Sequence, residues 1–306
     1  MNAVEHVVPV RGGDLAVTHW PARGAAGPPV IALHGITSNG RFLAPLARAL
    51  AANGTPVHAP DLRGRGASRQ LPGPYGLSAH VADVLALADA LGDAAGGTGG
   101  DTAVDARGPR PILLGHSMGA FVAALAAATH PGRFARLVLV DGGLGFPAPA
   151  GHDIDALLDA VIGPAMRRLS LTFPDRASYH AYFREHPALA DHFGDDLRHH
   201  LDRDLVGEPP MMRSACVLDA VRADGADVLS DPATLAAVHR LRDPATLLLA
   251  ERGLLNEPRA LYDPERVAAA GLDPATVTVH QVPDTNHYTI LLAEHAVAAV
   301  AAAVTW

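Results

Sequence analysis

The stretch Pro111-Ile-Leu-Leu-Gly-His-Ser-Met-Gly119 carries a short apolar run into a Gly-x-Ser-x-Gly turn, and the alanine-rich segment 120–129 that follows has helical character. A strand, a sharp turn and a helix in that order lift a serine hydroxyl, here that of Ser117, clear of the backbone. Such a hydroxyl is a poor nucleophile unless a base takes its proton and N–H donors face the oxyanion it creates. The glycines at 115 and 119 leave room for a tight backbone, and the Met118 N–H at the helix start can face a developing negative charge. In a chain with 30 glycines the pentapeptide alone is a weak signal, and the strand before it and helix after it make it specific.

Outward from this turn, short apolar runs alternate with amphipathic stretches. Residues 4–10 and 15–20 flank Arg11-Gly12-Gly13-Asp14 and read as a hairpin, the antiparallel edge of a sheet. Segments 28–33, 55–60, 136–140, 245–250 and 276–282 read as buried strands, with helices over 42–53, 77–91 and 290–304. Strands and helices alternating through short loops imply a largely parallel sheet covered on both faces, with function gathered at the carboxyl ends of its strands. His34, Ser117 and Asp141 fall at such ends, and His287 lies just past the last strand, where a helix begins. Of 17 histidines it is the one placed to reach Ser117. The loop His34-Gly35-Ile36 can bring the Ile36 N–H opposite that of Met118, so that two donors converge on one oxygen. Asp61-Leu-Arg-Gly-Arg-Gly-Ala-Ser68 lacks a Gly-Lys-Ser/Thr or a Gly-x-Gly-x-x-Gly and is expected to be structural. Residues 92–108, rich in Gly, Asp and Ala, are expected to form a surface loop.

Between 144 and 242 the pattern changes to helical stretches at 154–169, 176–185, 195–205 and 211–222. The expected organisation is therefore an α/β core from 1–143 and 243–306 with a helical lid, 144–242, inserted over the nucleophile. Phe173, Tyr179, Tyr182, Phe183, Phe193, Met211 and Met212 give that lid an apolar face that either holds substrate or packs the lid onto the core. Tyr179, Tyr182 and Phe183, together with His34 and Gly35, are the expected substrate contacts.

Composition narrows the chemistry. The chain of 306 residues is 49 % hydrophobic and 18 % charged, which suits a packed globule. Its net charge of −8 and lack of a basic run argue against nucleic acid and anionic membranes as partners. All 24 basic residues are arginine, which removes Schiff-base and Ser-Lys chemistry. One cysteine, Cys216, excludes intramolecular disulfides and Cys-rich zinc sites, and the histidines, His199-His200 included, lack a metal-ligand pattern, so no metal or organic cofactor is expected. The first ten residues carry no signal-peptide pattern, and no apolar run approaches the roughly 18 residues of a membrane span, so a cytoplasmic location is expected.

His34-Gly35, Asp61-Leu-Arg-Gly-Arg-Gly, Gly115-His-Ser-Met-Gly119, a helical insertion and Asn286-His287 together resemble the α/β-hydrolase family over nearly the whole chain. The resemblance implies a Ser–His–acid triad in the order nucleophile, acid, histidine, with oxyanion donors from the Ile36 and Met118 backbones. Most relatives carry the acid after the strand that here is 245–250, where this sequence has Gly253 at the expected position and only Glu251 and Glu257 nearby. Others use a carboxylate after the strand that follows the nucleophile helix, here Asp141. Asp141 is preferred, because an Asp beside Gly142-Gly143 can turn toward the imidazole while Glu251 adjoins Arg252. Glu251 is the alternative, followed by Glu257 and Asp284.

A serine nucleophile speaks against the haloalkane dehalogenase and epoxide hydrolase branches, which attack through Asp. Hydrolysis of a small, fairly apolar carboxylic ester or lactone through an acyl-enzyme is the first expectation. Amide hydrolysis, carbon–carbon bond hydrolysis and perhydrolysis use the same apparatus, and a catalytically silent small-ligand receptor is the alternative from another class. Oligomeric state is not legible in the residues.

Overall fold

In a computed structural model the chain is described over residues 3–24, 26–95, 109–145 and 153–305. Its centre is an eight-stranded sheet made of β1 (Val4–Val10), β2 (Gly13–Trp20), β3 (Val30–Leu33), β4 (Val57–Pro60), β5 (Ile112–His116), β6 (Arg136–Val140), β9 (Ala245–Ala250) and β10 (Val277–Val282). Two short strands, β7 (Leu205–Val206) and β8 (Arg213–Ser214), pair apart from it. The order across the sheet is β1-β2-β4-β3-β5-β6-β9-β10, antiparallel only where β1 meets β2 and β2 meets β4. Strand β5, which leads into Ser117, therefore lies between β3 and β6, with Leu33 opposite Gly115 and His116 opposite Val140.

The sequence of the central strands explains why both faces are covered. In β5 and β6, Leu113, Leu137 and Leu139 point into one core, while Ile112, Leu114, Val138 and Val140 point into the other. Helices α2 (Leu77–Ala95) and α3 (Met118–Thr129) cover the first face, and α1 (Ala44–Ala52) and α10 (Glu294–Thr305) the second. Helix α3 is apolar all round and buried from Met118 to Ala127, as a helix wedged between a sheet and other helices must be. Helix α2 takes in 92–95 of the stretch expected as a loop, and the rest of it, 96–108, lies outside the described residues.

Between β6 and β9 the chain is mainly helical: α4 (Ile154–Leu169), α5 (Arg176–Arg184), α6 (Asp195–Asp204), α7 (Leu218–Ser230) and α8 (Pro232–Ala236). The expected helix at 211–222 is a misreading. Met212 exchanges backbone hydrogen bonds with Phe173, Arg213–Ser214 pairs with β7, and the helix starts only at Leu218. The last helical turn before β10 comes from α9 (Pro264–Ala270). Among the described residues no helix is long and apolar enough to cross a membrane.

Buried ion pairs fasten the helical segment to the core. The Arg65 side chain, fully buried, pairs with Asp224 of α7, which also accepts a bond from His80 at 3.0 Å. Burial opposes ionisation of Asp224, but Arg65 and His80 hold its carboxyl down at about 2. Removing one partner leaves the other buried and uncompensated. Asp224→Asn is expected to lower unfolding stability by about 3–5 kcal/mol, read from urea denaturation. A loss under about 1 kcal/mol would mean that water reaches Arg65.

On the antiparallel edge, His58 of β4 stacks on His19 with ring centroids 4.1 Å apart, and His6 meets both edge-on. Burial, reinforced by His19 and His6, lowers the His58 imidazole to about 3. Its unfolded value is near 6.5, so from about pH 6.5 down to about pH 3 the unfolded chain binds one proton more and stability falls with falling pH. His58→Gln is expected to make the acid limb of a stability-against-pH curve shallower by about 1.4 kcal/mol per pH unit in that window.

Candidate active site

Ser117 closes β5 with φ 55° and ψ −124°, a left-handed backbone unusual for a non-glycine residue, and caps the N-terminus of α3. The turn is tight enough that a Cβ on Gly115 would overlap the Gly119 carbonyl, and one on Gly119 would overlap the Leu33 carbonyl. Glycine is required at both positions for that reason. Met118 opens the helix, where backbone N–H groups have no acceptor within the helix.

Asp141, at the end of β6, is likewise left-handed with φ 44° and fully buried. Its Oδ2 accepts the Nδ1–H of His287 at 2.6 Å, and its Oδ1 accepts the Ala250 N–H at 3.1 Å. His287 sits in the loop after β10, and its carbonyl accepts a bond from His116 Nε2 at 2.7 Å. With Nδ1 engaged by the carboxylate, Nε2 is the imidazole nitrogen left for other work. Ser117 and His287 line one cavity of about 530 Å³. Glu251 lies elsewhere: it is exposed and accepts the Asp284 N–H at 2.7 Å. Glu257 lines the cavity and accepts the Leu255 N–H.

The loop after β3 lies beside Ser117. Gly35 and Ile36 line the cavity, and a Cβ on Gly35 would stand 3.3 Å from the Ser117 Cβ. His34, expected to touch substrate, does not line that cavity. It is fully buried behind the loop, its Nε2 accepting the Leu62 N–H at 2.9 Å and its Nδ1–H donating to the Gly35 carbonyl at 2.8 Å. The peptide so held is the one that carries the Ile36 N–H. Burial also keeps this imidazole neutral, pushing its pKa well down.

Tyr182 and Phe183 of α5 line the cavity as expected, but Tyr179 does not. Its hydroxyl is drawn into a buried cluster, donating to Asp204 and accepting from Arg168 Nη1 at 2.7 Å. Phe173 and Met212 are packed in the core and Met211 is exposed, so of the seven aromatic and methionine residues offered for an inner face only Tyr182 and Phe183 line the cavity. Cys216 is buried in the same cluster, and burial pushes its thiol up to about 12, which rules it out as a nucleophile at neutral pH.

Sequence reading missed Arg168, His186 and His200, all on the cavity wall. Arg168 Nη2 donates to the Thr37 carbonyl at 3.0 Å and Nη1 to Asp204 at 2.5 Å, tying α4 to the loop that holds Ile36. Asn39, in that loop, donates to the His200 carbonyl at 3.0 Å. Only a buried arginine paired with a helix aspartate could have signalled this, and arginine is too common here to stand out. Helix α4 bends at Ile162 (φ −127°, ψ 26°), two residues before Pro164, which has no N–H for the helix and crowds the preceding turn. The bend sets Val161 and Ile162 over Ser117. Among the described residues no group of three or more His, Cys, Asp or Glu side chains could hold a metal ion.

Known proteins with similar sequences differ in named chemistry. Lipase LipV of Mycobacterium tuberculosis is 34 % identical over 151 residues, 49 % of this chain and 48 % of that one. Epoxide hydrolase B of the same organism is 27 % identical over 256 residues, 79 % of this chain and 66 % of its own. The chain thus spans from about half to just under two thirds of these relatives. The crystal structure of E-2-(acetamidomethylene)succinate hydrolase superposes with a TM-score of 0.75 at 23 % identity, covering 100 % of both chains. The sequence pattern of the alpha/beta hydrolase family matches residues 30–303, nine-tenths of the length, with the serine turn, the buried carboxylate and the histidine all inside it, and the chain belongs to that family.

Proposed function

We propose that this hydrolase cleaves a carboxylic ester or lactone through an acyl-enzyme on Ser117, with His287 as base and Asp141 as the orienting acid. The observation that carries the reading is the 2.6 Å bond from His287 Nδ1 to Asp141 beside a serine held on a left-handed turn in the same cavity. Asp141 fixes the imidazole tautomer, so that Nε2 takes the Ser117 proton as the hydroxyl attacks the carbonyl carbon. The Ile36 and Met118 N–H groups face the resulting oxyanion, and the proton passes from Nε2 to the departing alkoxide. Water, deprotonated in turn by His287, then cleaves the acyl-enzyme and restores the serine. The similarity to an epoxide hydrolase does not favour epoxide opening, because the attacking position holds a hydroxyl and no carboxylate. Residues 144–242 act as a lid in this reading, supported by the cavity wall they supply through Ile162, Arg168, Tyr182 and Phe183.

A fluorophosphonate is expected to label Ser117, and p-nitrophenyl esters to turn over, with both lost in Ser117→Ala. Asp141→Asn is expected to lower kcat by about 10³–10⁴ while Glu251→Gln stays near wild type. The reverse ranking would transfer the acid role to Glu251. Labelling without turnover would point to a slow receptor, and faster cleavage of p-nitroanilides than of matched esters to an amidase.

His34 is expected to matter through the peptide it holds. His34→Ala is expected to lower kcat by on the order of tenfold to hundredfold with little change in KM, since an oxyanion donor acts in the transition state. A rise in KM at constant kcat would instead return His34 to substrate binding.

A further inference from the structure

Ser117 and His287 also open onto a second, smaller cavity of about 60 Å³ on the α3 side of the nucleophile. Its walls are Met118 and Phe121 of α3, Leu158 of α4, and Gly225, Val228 and Leu229 of α7. Apart from Asp141 and His287, which are bonded to each other, no charged side chain lines it. The two cavities meet at the reacting serine and differ in both size and chemistry. The larger one has Arg168, His186, Glu257 and Tyr288 on its wall, groups that can solvate a polar fragment.

Resting on the serine hydrolase reading, we propose that the small cavity is the acyl site and restricts the enzyme to short, uncharged, unbranched acyl groups, acetyl to about hexanoyl, while the larger cavity takes a bulkier alcohol portion. Size sets the limit: at about 10–15 Å³ of such space for a group the size of water, about 60 Å³ admits roughly four to six such groups beyond the carbonyl carbon. Polarity sets the orientation. The departing oxygen gains a proton from His287 and needs hydrogen-bond partners, which the larger cavity offers, while beyond the site residues the smaller has only the Tyr262 hydroxyl, already engaged with the Leu144 backbone. A charged acyl tail would lie unpaired among Phe121, Leu158 and Leu229, where an isolated ion is costly.

Two positions control the length of this cavity. Leu158 is 3 % exposed and packs directly on Gly225, so truncating it extends the cavity toward α7. A methyl on Gly225 would overlap Leu158 Cδ2 and take up space in the cavity itself.

The test is kcat/KM for p-nitrophenyl acetate, butyrate, hexanoate and octanoate with wild type, Leu158→Ala and Gly225→Ala, with thermal unfolding as a check on folding and fluorophosphonate labelling of Ser117 run alongside. In wild type the butyrate is expected to exceed the octanoate by at least about tenfold. Leu158→Ala is expected to shift the octanoate-to-butyrate ratio up by about tenfold or more, and Gly225→Ala to lower the hexanoate-to-acetate ratio. A flat or rising wild-type profile on an enzyme that labels at Ser117 overturns the acyl site and leaves the hydrolase reading intact; this outcome needs no variant to fold. Absence of both labelling and turnover overturns the two together.

Discussion

The sheet's hydrogen-bond ladder runs one residue beyond its strands, and the site depends on that extension. The Ser117 N–H donates to the Val140 carbonyl at 3.0 Å, and the Asp141 N–H donates to the Leu248 carbonyl at 2.8 Å. Both residues are therefore pinned by the neighbouring strand at the point where their own backbone turns left-handed. A non-glycine residue in such a conformation costs on the order of 1–3 kcal/mol and persists only where its surroundings over-determine it. Here the ladder does so from one side and the packed glycines at 115 and 119 from the other. Side-chain direction at both positions follows from the sheet.

That constraint also explains how much was legible in the residues. Apolar runs fixed the strands closely, 136–140 and 245–250 without error, because buried parallel strands must be apolar on both faces. Ser117 and His287 stood out because each follows such a run. The acid stayed open between Asp141 and Glu251 because both follow adjacent strands, β6 and β9, and sequence does not say which loop turns inward. The left-handed turn at Asp141 aims its carboxylate at His287, while Glu251 spends itself on the Asp284 amide. Tyr179 was misjudged for a related reason. It shares a helix face with Tyr182 and Phe183, but its hydroxyl belongs to a buried cluster whose other members lie 11 to 37 positions away, invisible to local periodicity.

Arginine as the sole basic residue type fits the polar architecture. Arg63 binds both oxygens of Asp83 and the carbonyls of Pro72 and Arg11; Arg168 binds Asp204, Tyr179, Ser214 and the Thr37 carbonyl. Each is a planar fork reaching several fixed acceptors at once, which a lysine ammonium on a flexible stem does poorly. The arginines of the 61–68 loop are consumed in this way, which is why that loop is structural and offers no phosphate cradle.

The same bonds link the helical segment to catalysis. The loop at 35–39 that carries the Ile36 N–H is held from above by Arg168 at the Thr37 carbonyl and by the His200 carbonyl at Asn39, and from below by His34 and by Arg65 Nε at the Ile36 carbonyl. Arg65 is in turn paired with Asp224 of α7. A rigid lift of the whole segment would strand several buried polar groups at about 1–3 kcal/mol each, far more than a loop movement costs. These bonds therefore hold the helical segment and the 35–39 loop together, and the bent half of α4 around Ile162, which lines both cavities, takes no part in them.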